Sequence, residues 1–202
     1  GELTTFIRLS GCNLRCSWCD TNYSQDGSCG DIMTLETILD KVIELNCRNI
    51  TLTGGEPLIH ANIDELILKL LEEGFDINVE TNGTVDIGKY ITDPKFNGKL
   101  GDLWFTIDYK AKSSGMNDKM DIANFWNLRD QDVIKFVVGS KEELEDADRF
   151  LCELDSHLEY CPYIYFSPVF GMIEPVEIVN HMLEKNYKSK VRVQLQLHKL
   201  IW

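Results

Sequence analysis

Short runs rich in β-branched and aromatic residues recur along the chain, and between them apolar residues return every three or four positions. The runs at 4–9, 49–53, 76–80, 102–108, 132–138 and 163–167 predict strands, with a final run at 190–197. Residues 34–45 predict a helix, because Leu35, Ile38, Leu39, Val42 and Leu45 fall on one stripe behind Thr34, a good N-terminal cap. The same spacing returns at 62–73, where Ile63, Leu66, Ile67, Leu70 and Leu71 line up and Gly74 suits the residue after a helix end. Further helices fit 141–154 and 174–185, whereas 84–101 carries no sustained period. Strands alternating with helices predict an α/β fold whose sheet is mostly parallel.

In such sheets ligands collect at the carboxyl ends of the strands. A cysteine-rich loop follows the first predicted strand, and Gly54, Gly55 and Glu56 follow the second. Glu80, Thr81, Asn82 and Gly83 come at the end of the third, and Asp108, Tyr109 and Lys110 at the end of the fourth. Four polar clusters are thus expected on one rim.

Composition narrows the possibilities. With 202 residues, 44% of them hydrophobic, the chain is expected to form one domain over 1–202. It has neither a basic head before an apolar run nor eighteen consecutive apolar residues, so a soluble, cytoplasmic protein away from membranes is expected. Net charge is −13 and no stretch concentrates Lys or Arg, which argues against nucleic acid as a partner. Seven cysteines, an odd number, argue against a disulfide framework and for thiols with a metal or redox role. Cys47, Cys152 and Cys161 stand alone in apolar settings and are expected as small core residues.

The concentrated chemistry is "GCNLRCSWCDT", residues 11–21, in which Cys12, Cys16 and Cys19 lie within eight positions. A cubane iron-sulfur cluster takes one ligand per iron, so three thiolates leave one iron open. An open iron can receive the amino and carboxylate groups of S-adenosylmethionine. A structural zinc closed by Cys29 is the alternative that spacing permits.

The triplet, with Trp18 before its last cysteine, and the run Thr53-Gly54-Gly55-Glu56-Pro57 together resemble the two signatures of the radical S-adenosylmethionine superfamily. That resemblance covers nearly the whole chain and implies a partial (β/α)6 barrel carrying a 4Fe-4S cluster on Cys12, Cys16 and Cys19. It further implies that S-adenosylmethionine is held by Trp18, Cys19, Asp20, Gly54, Gly55, Glu56, Glu80 and Asn82. Asp108, Tyr109 and Lys110 would line the ribose and adenine side, although a Ser-Pro-Lys run is the commoner pattern there.

Within the superfamily, "CSWCDT", "FIRLSGCN", "ETNGT", "SPVFG" and "QLQLHK" resemble the 7-carboxy-7-deazaguanine synthase family, whose product leads to 7-deazapurines such as queuosine. By that resemblance Thr21 binds Mg2+, and Arg8, Thr53, His198 and Trp202 contact the substrate, 6-carboxy-5,6,7,8-tetrahydropterin. A hydroxyl oxygen suits a small hard cation, and an arginine fork suits a carboxylate. The resemblance also implies a homodimer fed by a flavodoxin- or ferredoxin-like reductant. Family members usually carry a Gln-Gly-Glu-Gly segment ahead of the arginine, so an N-terminal segment is expected beyond the residues given. Two alternatives stand beside this reading: an activase that places a glycyl radical on a partner protein, and a non-enzymatic zinc or cluster module.

Overall fold

A computed structural model describes residues 2–201 except 156, 158, 159, 186, 188 and 189; the side chains of 155, 198 and 200 are also outside the description. Among the described residues seven parallel strands form one sheet in sequence order: β1 (Thr5–Leu9), β2 (Asn49–Gly54), β3 (Asp76–Thr81), β4 (Leu103–Lys110), β5 (Val133–Val138), β6 (Tyr163–Pro168) and β7 (Val191–Val193). β1 and β7 are its two edges, so the barrel is open. The longer helices are α1 (Leu35–Leu45), α2 (Ile63–Glu72), α5 (Lys141–Asp155) and α6 (Pro175–Lys185), joined by short helices α3 (Gly88–Thr92), α4 (Ala123–Trp126) and α7 (His198–Ile201).

Alternation along the strands gives the sheet two unlike faces. Leu52, Ile77, Val79, Phe105, Ile107, Ile134, Phe136 and Phe166 point to one side, where the buried stripes of the helices, such as Ile67, Leu70 and Leu71 of α2, cover them. Thr53, Glu80, Thr106, Asp108, Lys135, Tyr165 and Arg192 alternate onto the other side. All-parallel sheets usually bury both faces under apolar layers. A polar face here marks where a ligand is to be accommodated.

Several expectations change. β4 runs two residues further than predicted, so Asp108, Tyr109 and Lys110 lie within the strand. The last strand is Val191–Val193 rather than 190–197: Lys190 adopts a positive φ of 50°, and after Gln194 N–H donates to Phe166 O the chain leaves β6. The segment 84–101 holds α3 and a turn at Pro94–Phe96, whose Tyr90 and Phe96 fill the core. Cys47 is half-buried and Cys152 and Cys161 are exposed, so these three are not core residues; Cys152 lies outside the apolar stripe of α5. Among the described residues no helix is long and apolar enough to cross a membrane.

Candidate active site

The loop after β1 carries the three thiols and is fastened to its neighbours by backbone bonds. Gly11 and Cys12 N–H donate to Ser24 O (2.6 Å) and Gln25 O (3.0 Å), folding the loop back on itself. Gly55 N–H donates to Leu9 O (2.9 Å) and Glu56 N–H to Gly11 O (2.8 Å), which joins the end of β2 to the same loop. The glycine pair is demanded by that approach. A Cβ on Gly55 would stand 2.1 Å from Gly11 O and 2.8 Å from Cys12 Cβ, and one on Gly54 would stand 2.0 Å from Leu9 O.

Glu56 is fully buried, and burial raises its pKa against three hydrogen bonds that favour the charge. Asn82 N–H (2.6 Å), Leu58 N–H (3.0 Å) and the Thr81 hydroxyl (2.8 Å) donate to its two oxygens. Glu56, expected to hold the cofactor, instead commits both oxygens to Asn82, Leu58 and Thr81, and bare backbone at the glycine pair is what faces the loop. Asn82 in turn donates its side-chain amide to Asn13 Oδ1 (2.9 Å) and to Cys12 Sγ (3.8 Å). Burial raises the Cys16 pKa, with Lys110 pulling the other way. Cys12, Cys16 and Cys19 are all half-buried, with an amide donor and a cation beside them, and such a thiolate set fits an iron-sulfur cluster.

Two of the expected substrate contacts, Arg8 and Thr53, lie on the polar face beside Glu80. Arg8 of β1 is the register partner of Thr53 of β2, whose hydroxyl donates to Glu80 of β3 at 3.3 Å. Further along, Asp108 stands between two ammonium groups, Lys110 at 3.0 Å and Lys135 at 3.1 Å. Burial opposes all three charges, but mutual attraction prevails: Asp108 is held below its ordinary pKa and both lysines above theirs. Lys110 also lies 5.8 Å over the Trp18 ring. Tyr109 requires a correction. Alternation in β4 turns it to the helix side, where it packs against Phe136 and Phe150 with centroids 5.0 and 4.6 Å away, so it does not line the cofactor side with Asp108 and Lys110.

Thr21 Oγ1 lies 3.7 Å from Cys19 Sγ and makes no capping bond to the turn it begins. Asp20 accepts from Gln196 Nε2 at 3.1 Å, bringing the C-terminal segment to the cysteine loop. Cys29 Sγ contacts Ser10 Oγ at 3.2 Å. Among the described residues no group of three or more His, Cys, Asp or Glu side chains is gathered tightly enough to hold a single metal ion. The His198 side chain and Trp202 lie outside the described residues.

Sequence reasoning passed over Lys135, Ser113 and Glu143. Lys135 had a signal, a single charge at an alternating position inside the apolar run Val133–Val138. Ser113 had none and Glu143 only the spacing of a helix cap, because their partners are far away in sequence.

Comparison with known proteins agrees with this geometry. The model of the radical SAM superfamily matches residues 6–107. A 7-carboxy-7-deazaguanine synthase of Clostridium acetobutylicum is 40% identical over 100% of this chain and 88% of its own length. The proteins of the same name from Methanospirillum hungatei and Leptospira interrogans are 33% and 34% identical, again over all of this chain, and over 78% and 88% of theirs. Among solved structures, Streptococcus suis SuiB superposes with a TM-score of 0.64 over 95% of this chain at 13% identity, a likeness of fold; the chain spans 48% of it. The activase and zinc-module alternatives give way to these findings. The chain belongs to the 7-carboxy-7-deazaguanine synthase family of the radical S-adenosylmethionine superfamily.

Proposed function

We propose that the chain converts 6-carboxy-5,6,7,8-tetrahydropterin to 7-carboxy-7-deazaguanine with loss of ammonia, and that the site residues act as follows. The observation that carries the assignment is the row Arg8–Thr53–Glu80 across three neighbouring strands, on the polar face of the sheet whose first strand leads into the three-thiolate loop. When bound, the 4Fe-4S cluster and S-adenosylmethionine would supply the one-electron chemistry that activates the substrate at C6.

Cys12, Cys16 and Cys19 hold the cluster, and Asn82 steadies Cys12. Arg8 pairs with the substrate carboxylate, the planar fork matching its two oxygens. Thr21 would hold Mg2+ through its hydroxyl, a hard oxygen ligand suited to a small hard cation. Thr53 touches the substrate, and Glu80, which accepts from the Thr53 hydroxyl, helps to hold S-adenosylmethionine. Lys110 lines the ribose and adenine side of S-adenosylmethionine, kept charged by Asp108. Orientation and electrostatic bias do the protein's share, and no side chain acts as a strong base. We assign the chain to the cytoplasm as a single-domain homodimer, served by a flavodoxin- or ferredoxin-like reductant.

The test is anaerobic reconstitution with iron and sulfide, followed by turnover of the carboxytetrahydropterin with and without magnesium. Stoichiometric ammonia and 7-carboxy-7-deazaguanine support the assignment, as does a Thr21→Ala variant whose lost activity excess magnesium partly restores. A fully loaded protein that cleaves S-adenosylmethionine but leaves the pterin intact overturns it.

A further inference from the structure

We propose that Glu143 is a positioning residue for the S-adenosylmethionine site, acting through Ser113 on the stretch between the second and third cluster cysteines. Ser140 and Glu143 have the spacing of a capping box, in which the carboxylate would reach back to the backbone at the start of its own helix. The structure uses them otherwise. Glu143 N–H does approach Ser140 Oγ at 3.4 Å, but the carboxylate turns away from the first turn of α5. Ser113 N–H donates to Oε1 at 2.7 Å, the Ser113 hydroxyl donates to Oε2 at 3.1 Å, and Gly139 N–H donates to Oε2 at 2.8 Å. A carboxylate only 8% exposed thus clamps the end of β5 to the loop after β4.

That loop is what the cysteine stretch leans on. Trp18 Nε1–H donates to Ser113 Oγ at 3.0 Å, the Ser17 hydroxyl donates to Ser113 O, and Ser17 N–H donates to Ser114 O at 3.0 Å. Ser17 and Trp18 are the two residues between Cys16 and Cys19, so three bonds from one short loop fix the span between two cluster ligands. The Ser113 hydroxyl has one proton, given to Glu143, and its lone pairs are then free to accept from the indole. Charge on Glu143 sets the direction of this relay. A Gln at 143 would offer one acceptor oxygen where two serve three donors now, and the Trp18 ring beneath Lys110 would lose its fixed edge.

The inference rests on the chain's S-adenosylmethionine site and not on which substrate it takes. Its experiment therefore uses no pterin: S-adenosylmethionine affinity by equilibrium dialysis on the anaerobically reconstituted full chain, with the electron paramagnetic resonance of the reduced cluster recorded before and after adding the cofactor. At full iron content Glu143→Gln and Trp18→Phe are each expected to weaken binding about tenfold, the scale of one or two buried hydrogen bonds lost. Because both cut one relay, the double variant is expected to be about as weak as the weaker single one rather than about a hundredfold down. The cofactor-induced change in the spectrum should shrink in all three. Wild-type affinity with an unaltered spectral change in Glu143→Gln, or multiplicative effects in the double variant, overturns the proposal. Should Glu143→Gln fail to fold, Ser113→Ala decides: it removes only the relaying oxygen, and unchanged affinity there is equally fatal.

Discussion

Replacing Gly55 by alanine adds one methyl where the end of β2 meets the cysteine loop. The new Cβ would lie 2.1 Å from Gly11 O, 2.5 Å from Gly11 C and 2.8 Å from Cys12 Cβ, and all but the last are backbone atoms that no rotamer change can move. Restoring an ordinary contact of about 3.4 Å requires a displacement of about 1.3 Å, which has to be taken by the cysteine loop or by β2. Either movement strains the Gly55–Leu9 and Glu56–Gly11 backbone bonds, now 2.9 and 2.8 Å. Overpacking costs about 1–3 kcal/mol and a weakened hydrogen bond about 1 kcal/mol more, for a total near 3 kcal/mol. In a domain of this size that lowers Tm by about 6–12 °C. Function is expected to suffer more, since a misplacement of about 1 Å at a positioned site costs about a hundredfold. Thermal unfolding of the iron-free chain reads the first effect, and iron content with S-adenosylmethionine affinity reads the second. A Gly55→Ala protein with unchanged Tm, full iron and undiminished affinity would refute the close approach on which the site's construction depends.

Other outcomes follow from single groups. Asp108→Asn leaves Lys110 and Lys135 without their shared counterion and is expected to cost about 3–5 kcal/mol at neutral pH. Asp108's folded pKa lies below its ordinary 3.8, so the native protein keeps this stabilisation above that pH and loses it as acid titrates the folded carboxyl. The gap between the two proteins in denaturant midpoint should therefore narrow from pH 4 downward, and a constant gap to pH 2 would contradict the pairing. Tyr109→Phe, on the helix side of β4, is expected to leave S-adenosylmethionine affinity within about twofold, which binding measurements check. Phe105→Ala opens a cavity at a fully buried position and should cost about 3–5 kcal/mol in chemical denaturation.

Much of this was legible in the sequence because the deciding signals are local. The stripe from Leu35 to Leu45 needs only helical periodicity, and the structure places α1 there with Thr34 accepting from Thr37 N–H as its cap. Cys12, Cys16 and Cys19 are likewise one short loop, and Gly54 and Gly55 sit at a strand end whose position hydrophobic pattern reveals. What was hidden depends on pairing between distant segments. Tyr109 could be assigned to a face only once β4 was known to continue through Lys110, and the end of β7 is set by where β6 stops pairing rather than by residues 194–197 themselves. Asp108 could be seen as a departure from Ser-Pro-Lys, but its partner Lys135 is a register neighbour on the next strand. Glu143 resembled a helix cap, and only the fold shows its carboxylate turned toward Ser113.

Cys12, Cys16 and Cys19 are proposed to hold the cluster and to leave its fourth iron to the cofactor. Pulsed electron-nuclear double resonance on the reduced, reconstituted protein with S-adenosylmethionine labelled with 15N at its amino group and 17O at its carboxylate tests this most directly. Under this proposal hyperfine coupling to both labels, retained in Cys29→Ser, is expected. Absence of coupling to either label at saturating cofactor, or a cluster lost on replacing Cys29, would contradict it.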